Sequence, residues 1–504
     1  MIAYGVNFAA SFFAILGMMR LMGTEGWGLF AVALQVVALT SMISDFGIGP
    51  VIMRRLALAP GRAMSILLEA TSSRLLLFIP TWLLSVAVAL ALDSSAQFLL
   101  LVHVMLLNVL ISARLPVIRG TFEAFYRSQS RMAFPTVTMA VDSLLLLAAV
   151  LVVPASFRDP VTAMMLYTGS NLIGAALLLG GSVRFARRIN TEPVRVRFAG
   201  MRELVTASAP LAVYLMFNAL HMSMETLYLK LFHGDAAAGI FTAATRILTP
   251  LAVFPTIIAI SAAPLIAKAS ATNERQPQER QPQERQPQDA QDNAQDTQKI
   301  RQEDVSGDMS RLFSLGFKTL LVGSVMIAGF GVTNTRWLLD VVLGEEFRES
   351  AVPMMLLFLT FMPMALNIFL VEVNNARDRL KTNTRFAAVL ALTSVLLGAV
   401  LTWQWSADGA AVAKMSAIVL GLGYLIMRSR EGIAFAVKPL VWKSVLLFAV
   451  LVGLREALDP LNRWVANGAA LAAVTTGIFL LRVYTAEELR QWRRQFAALL
   501  SRPG

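Results

Sequence analysis

The chain has 504 residues, of which 56% are hydrophobic and only 15% charged, with a mean hydropathy of +0.63. An ordinary soluble domain carries about 25% charged residues, so a soluble globular protein is excluded. The absence of cysteine excludes disulfides, thiolate catalysis and Cys-ligated zinc as well.

Apolar runs recur along the whole chain, each long enough to cross ~30 Å of hydrocarbon as a helix. Read between charged or turn-rich breaks, they predict fourteen transmembrane helices. In chain order these are 2–20, 27–44, 68–92, 97–116, 132–153, 160–183, 204–231, 236–267, 312–339, 351–373, 386–403, 409–427, 439–454 and 464–483. The expected fold is all-α and polytopic. No basic segment or small-residue cleavage site of a signal peptide precedes the first span.

The net charge of +12 could point to nucleic acid, but its placement points to membrane topology. Lys and Arg gather in cytoplasmic loops of membrane proteins. The loop after span 2 carries Arg54, Arg55 and Arg62, and the loop after span 6 carries six arginines from Arg184 to Arg202. The loop after span 10 carries Arg377, Arg379, Lys381 and Arg385. The odd-numbered loops are nearly empty of them. This alternation puts both termini in the cytoplasm. Trp27, Trp337, Trp403, Trp405 and Trp464 fall at predicted outer ends, where amphipathic rings favour the headgroup layer.

Two segments stand apart from the spans. Residues 272–304 are polar and repeat the unit QPQER. They cannot bury a core, so they read as a disordered cytoplasmic insertion. After Tyr484, Thr485 and Glu488 have capping-box spacing. Leu489, Trp492, Phe496 and Leu499 then share a helical face, with arginines elsewhere. That is an amphipathic helix suited to the inner membrane surface.

Motifs of catalysis are missing: there is no GxxxxGK[ST], HExxH or GxSxG. His103, His221 and His233 are not spaced as a metal cluster, and no predicted external loop is large enough to hold an enzyme's substrate. What remains is polar residues inside spans, which are costly in hydrocarbon and usually face a cavity or a partner. In span 7, Asn218, His221 and Glu225 are three and then four residues apart, on one helical face. Two readings stay open: a cavity-facing stripe that binds substrate or exchanges a proton, or an interhelical hydrogen-bond seam.

Arg246 lies about ten residues into span 8, so roughly 15 Å deep at 1.5 Å per residue. Pro250, Pro255 and Pro264 follow it and should break the helical ladder. A buried guanidinium suits a pyrophosphate, which it can grip bidentately; its other reading is an ion pair with Glu225. Asp142 and Lys414 are expected to be paired or snorkelling. Glu69, Arg74 and Glu372 are expected to be solvated at the inner interface. Arg20, at the outer end of span 1, is expected to snorkel to headgroups.

The opening stretch MMRLMGTEGWGLFAVALQVVALTSMISDFGIGPVIMRR resembles the start of lipid-linked oligosaccharide flippases of polysaccharide biosynthesis. These belong to the multidrug/oligosaccharidyl-lipid/polysaccharide exporter superfamily. The matching positions are Arg20, Gly23, Gly26 to Phe30, Asp45 to Gly47 and Arg54. METLYLKLFHGDAAAGIFTAATRI is similar to the family at Glu225, Gly239 and Arg246, and LLDVVLGEEFRESAVPMMLLF at Gly344 to Phe347.

The resemblance implies two six-helix lobes around a central cavity, plus two C-terminal helices. The boundaries it implies are 1–184 for the first lobe, 185–203 for a cytoplasmic linker and 204–428 for the second lobe, which carries the insertion 272–304. Spans 13 and 14 then occupy 429–484, and the tail 485–504. It further implies alternating access in a bacterial inner membrane, with a polyprenyl-pyrophosphate-linked oligosaccharide as cargo. Arg246, Glu225, His221, Asn218, Arg20, Asp45 and Arg54 become the candidate substrate-binding residues. No metal and no cofactor is expected; coupling to an H+ or Na+ gradient is left open. Membrane lipids and other polysaccharide-assembly proteins are the implied partners, and nucleic acid is not. Two rival readings remain: a cation-coupled drug exporter of the same superfamily, and a membrane polymerase or ligase of the polysaccharide pathway.

Overall fold

The computed structural model describes residues 2–112, 115, 117–153, 159–261, 316–428, 434–458, 462–481, 483–484 and 490. The QPQER repeat, Pro264 and the capping box and apolar face of the tail lie outside the described residues. Among the described residues there are helices and no strand.

The first half runs α1 (Ile2–Asp45), α2 (Ile48–Leu58), α3 (Ala63–Leu92), α4 (Ala96–Ile111), α5 (Ile118–Ser128), α6 (Ala133–Val152), α7 (Pro160–Ile189), α8 (Phe198–His233) and α9 (Asp235–Ser261). Then follow α10 (Gly316–Val342), α11 (Ala351–Ala376), α12 (Leu380–Arg428), α13 (Ala434–Ala457) and α14 (Arg463–Leu480). Nine helical stretches among the described residues are long and apolar enough to cross a membrane.

Two of these helices hold two spans each. In α1 the break is Gly23, with φ 68 and ψ −174, a conformation that only glycine adopts cheaply. In α12 it is Ser406, at φ 50. There the chain folds back so tightly that a Cβ on Gly409 would overlap the carbonyl oxygen of Leu401. With these two counted double, and with α4, α13 and α14, the helices match the fourteen spans read from the sequence. The protein is an all-α, polytopic membrane protein. Outward-facing apolar side chains such as Leu75, Leu76, Ile79 and Leu83 of α3 are half exposed, as a lipid-facing surface requires.

The Asp-Phe-Gly motif is a turn. Asp45 ends α1, and Phe46 (φ 46) and Gly47 (φ 65) both sit in the left-handed region, reversing the chain into α2. Of the prolines after Arg246, Pro250 breaks the ladder as expected, whereas Pro255 lies within the resumed α-helix. Pro250 lies within a 3-10 turn, Thr249–Ala252, that interrupts α9 just after Arg246, because proline supplies no amide to an α-helical ladder.

The chain divides into two compact units. The first comprises Met1–Ile247, Arg336–Met354 and Ala387–Ala417; the second comprises Leu248–Thr335, Met355–Phe386 and Ile418–Gly504. In the first, α1 packs against α3, α4, α6 and α8, and α7 against α4 and α6. In the second, α13 packs along α14 over a core of Val322, Val325, Leu447, Leu451 and Val474.

Candidate functional site

Four groups of polar residues stand out in the first unit, and they divide the sequence-derived candidates among them. The first group surrounds Arg246. Its half-buried side chain lines a cavity of about 190 Å³, together with Trp27, Phe30, Gln35 and Ala38 of α1, Leu115, and Tyr167 of α7. The wall is aromatic as well as polar: Trp27 stacks on Phe30 with ring centroids 5.4 Å apart, and Phe30 meets Tyr167 edge-on at 5.9 Å. The Oε1 of Gln35 accepts a hydrogen bond of 3.1 Å from Ser223 Oγ, which fixes the amide from α8. Gln35 and Tyr167 carry no signal in the sequence, since an amide and a phenol at arbitrary helical positions acquire meaning only from their neighbours. Trp27 corrects an expectation. It is 1% exposed and belongs to this packed wall rather than to a headgroup belt; Trp403, Trp405 and Trp464 are more than half exposed, as the belt predicts.

The second group is built on α8 and α12. Glu225 is fully buried. Its Oε1 accepts 2.8 Å from Ser394 Oγ, and Lys414 Nζ lies 3.5 Å from its Oε2. Lys414 also donates to the backbone oxygen of His221 at 3.3 Å. Buried His221 shares a 2.8 Å hydrogen bond between its Nδ1 and Ser394 Oγ. The stripe on α8 is therefore split. His221 and Glu225 form a seam with α12, while Asn218 is half-buried one turn away. The ion pair that Glu225 makes is with Lys414.

The third group lies where α1 turns into α2. Arg74 donates to Asp45 Oδ1 at 2.6 Å, to Thr121 Oγ1 at 2.8 Å and to the Val117 carbonyl. Arg119 bonds Asp142 and reaches Glu123 Oε1 at 3.3 Å, and Asp142 in turn accepts 2.9 Å from the Gly174 amide. Asp45 thus serves as a partner of Arg74, and Arg54 on α2 is exposed nearby in sequence. Arg74 and Glu69 are each 1% exposed, so the expectation that they are solvated fails. The short helix α5 covers Arg74 through Val117 and Thr121, and the Arg197 amide donates 3.2 Å to Glu69 Oε1. Asp142 is paired, as expected.

The fourth group is terminal. Arg20 is exposed, but it does not simply reach for headgroups. Its guanidinium donates to the Val342 carbonyl at 2.8 Å and to that of Val341. It thereby satisfies carbonyls at the end of α10 that have no partner in their own helix. Lys230, in the last turn of α8, bridges Asp93 at 2.7 Å and Asp235 at 2.8 Å. No cluster of three or more potential metal-binding side chains occurs among the described residues.

These features define a polytopic helical membrane protein with a small aromatic cavity that, among the described residues, Arg246 enters. A family model described as polysaccharide biosynthesis protein matches residues 1–270, more than half of the chain, and the chain belongs to that family. No curated protein matches the sequence. Three solved structures are similar in fold. The lipid II flippase MurJ, in an inward closed conformation, is 11% identical with a TM-score of 0.67, over 96% of this chain and 99% of that one. An inward-facing multidrug resistance MATE family transporter of the MOP superfamily is 12% identical with a TM-score of 0.58, over 84% and 94%. The MATE multidrug transporter DinF-BH is 17% identical with a TM-score of 0.55, over 85% and 94%.

Proposed function

We propose that the protein flips a polyprenyl-pyrophosphate-linked oligosaccharide from the inner to the outer leaflet of a bacterial inner membrane by alternating access. The cargo would serve assembly of a surface polysaccharide such as O-antigen, capsule or exopolysaccharide. Both termini would face the cytoplasm, in keeping with the arginine-rich even-numbered loops.

The observation that carries this reading is the guanidinium of Arg246 in an aromatic and amide-lined cavity. A diphosphate is doubly anionic and planar-fork complementary, so Arg binds it with charge-assisted, bidentate hydrogen bonds. Aromatic faces and an amide suit the neighbouring sugar, which has apolar faces and hydroxyl edges. Membership of a polysaccharide-biosynthesis family supports the sugar, and the flippase and transporter folds support movement across the bilayer rather than bond chemistry. A cation-coupled drug exporter fits less well. A cationic drug would meet Arg246, and the carboxylate that could attract it, Glu225, is already matched by Lys414.

The test is a deletion strain of the encoding gene, analysed for lipid-linked intermediates and complemented by variants. Deletion should leave lipid-linked oligosaccharide accumulating on the inner leaflet. Arg246→Ala should fail to relieve it although the protein accumulates normally, and Arg246→Lys should relieve it only in part. Full export by Arg246→Ala would refute the reading.

A further inference from the structure

The seam between α8 and α12 is a desolvated ionic site that the transport reading does not use. Glu225 is fully buried and lies eight residues before the end of α8 at His233. An ionised carboxylate so far from water must be compensated by a charge and by hydrogen bonds. Ser394 Oγ donates to Oε1 at 2.8 Å, so the Ser394 hydroxyl hydrogen is committed to Glu225, and His221 supplies its Nδ1 proton to the same hydroxyl oxygen at 2.8 Å. The charge comes from Lys414, whose Nζ stands 3.5 Å from Oε2 and 3.3 Å from the His221 carbonyl. Oε2 makes no hydrogen bond of its own. The ammonium therefore occupies a position bounded by a carboxylate oxygen and a carbonyl oxygen, held by charge more than by directional bonding.

Such a position is one that a hard monovalent cation would take, because carboxylate and carbonyl oxygens suit hard ions. Here a side chain of the same polypeptide fills it. We propose that Lys414 is a resident counter-cation that holds the cation position beside Glu225, making this seam independent of external Na+. This inference concerns the seam alone and does not depend on the identity of the cargo. In this arrangement the Na+ gradient cannot act through Glu225 while Lys414 is in place. Removing the ammonium should uncover a Na+ site made of Glu225 Oε2, the His221 carbonyl and, nearby, Ser394 Oγ.

The experiment is thermal unfolding of the purified full-length chain in detergent, in NaCl and in choline chloride at equal ionic strength. A ligand that binds only the folded state raises the midpoint with its concentration. The wild type should unfold at the same temperature in both salts. Lys414→Ala should be less stable in choline chloride, with NaCl raising its midpoint saturably by several degrees. Lys414→Arg, which keeps a tethered cation, and the double variant Glu225→Gln with Lys414→Ala should both be indifferent to the choice of salt. A Na+-specific rise in the wild type overturns the proposal, and so does a folded Lys414→Ala that ignores Na+. Should Lys414→Ala fail to fold in choline chloride, purification in NaCl is the deciding measurement: recovery there supports the proposal, and failure in both salts overturns it. None of these readouts involves export, so the result stands whether or not the cargo is a lipid-linked sugar.

Discussion

Gly28 of α1 and Gly239 of α9 meet backbone to backbone. A Cβ on Gly28 would overlap the carbonyl oxygen of Asp235 and lie 2.9 Å from the Gly239 amide nitrogen; a Cβ on Gly239 would overlap the carbonyl oxygen of Thr24. The contact is braced beside it by Lys230, which holds Asp235 and Asp93 together. Each glycine is required because backbone atoms, unlike the end of a flexible side chain, cannot step aside.

Alanine at either position should therefore force α1 and α9 apart. Overpacking of this kind typically costs about 1–3 kcal/mol. The expected outcome for Gly28→Ala or Gly239→Ala is a lower unfolding midpoint in detergent and reduced export, while Gly453→Ala, whose Cβ meets nothing within 4 Å, should leave both unchanged. Unaltered stability in both crossing variants would show that the helices do not need this approach.

Glu123 predicts a pH dependence. It lies on α5, between spans, is 7% exposed, and has its pKa raised from 4.5 to about 7. Burial is the main cause, only partly offset by Arg119, Arg127 and Arg74. A carboxyl with a raised folded-state pKa binds more protons folded than unfolded between these two values, so stability falls as pH rises through that window. The full penalty, on the order of 3 kcal/mol, is present above the folded pKa and absent below the unfolded one. In the range between pH 4.5 and about 7, Glu123→Gln should flatten the decline of the unfolding midpoint with pH. Equal slopes for wild type and variant would remove Glu123 as the source.

Orientation can be tested with the absence of native cysteine. Charge alternation puts Asn293 inside and the turn between the two arms of α12 outside. Within that turn Ala407 is buried, whereas Gln404 is exposed, so Gln404 is the position to probe. In intact cells an impermeant thiol reagent should label Gln404→Cys and not Asn293→Cys. The reverse pattern would invert the whole topology.

Much of the architecture was legible in the sequence, because helix formation in a membrane is local. A run of apolar residues of the right length satisfies its own backbone and partitions into hydrocarbon whatever surrounds it. That fixed the spans, and proline marked the break at Pro250. Counting residues along a helix gives the expected depth of Arg246. Only the tertiary structure decided what these side chains meet. Glu225 finds Ser394 at a sequence separation of 169 residues and pairs with Lys414, not with the arginine closer in sequence. Arg246 lies beside Gln35 and Tyr167, and Trp27 is buried in a packed wall instead of being exposed. Glu69 and Arg74 look like interface charges until α5 and the Arg197 backbone cover them. Partnership depends on the rotation and register of one helix against another, and hydropathy, which is a property of each helix alone, carries no record of either.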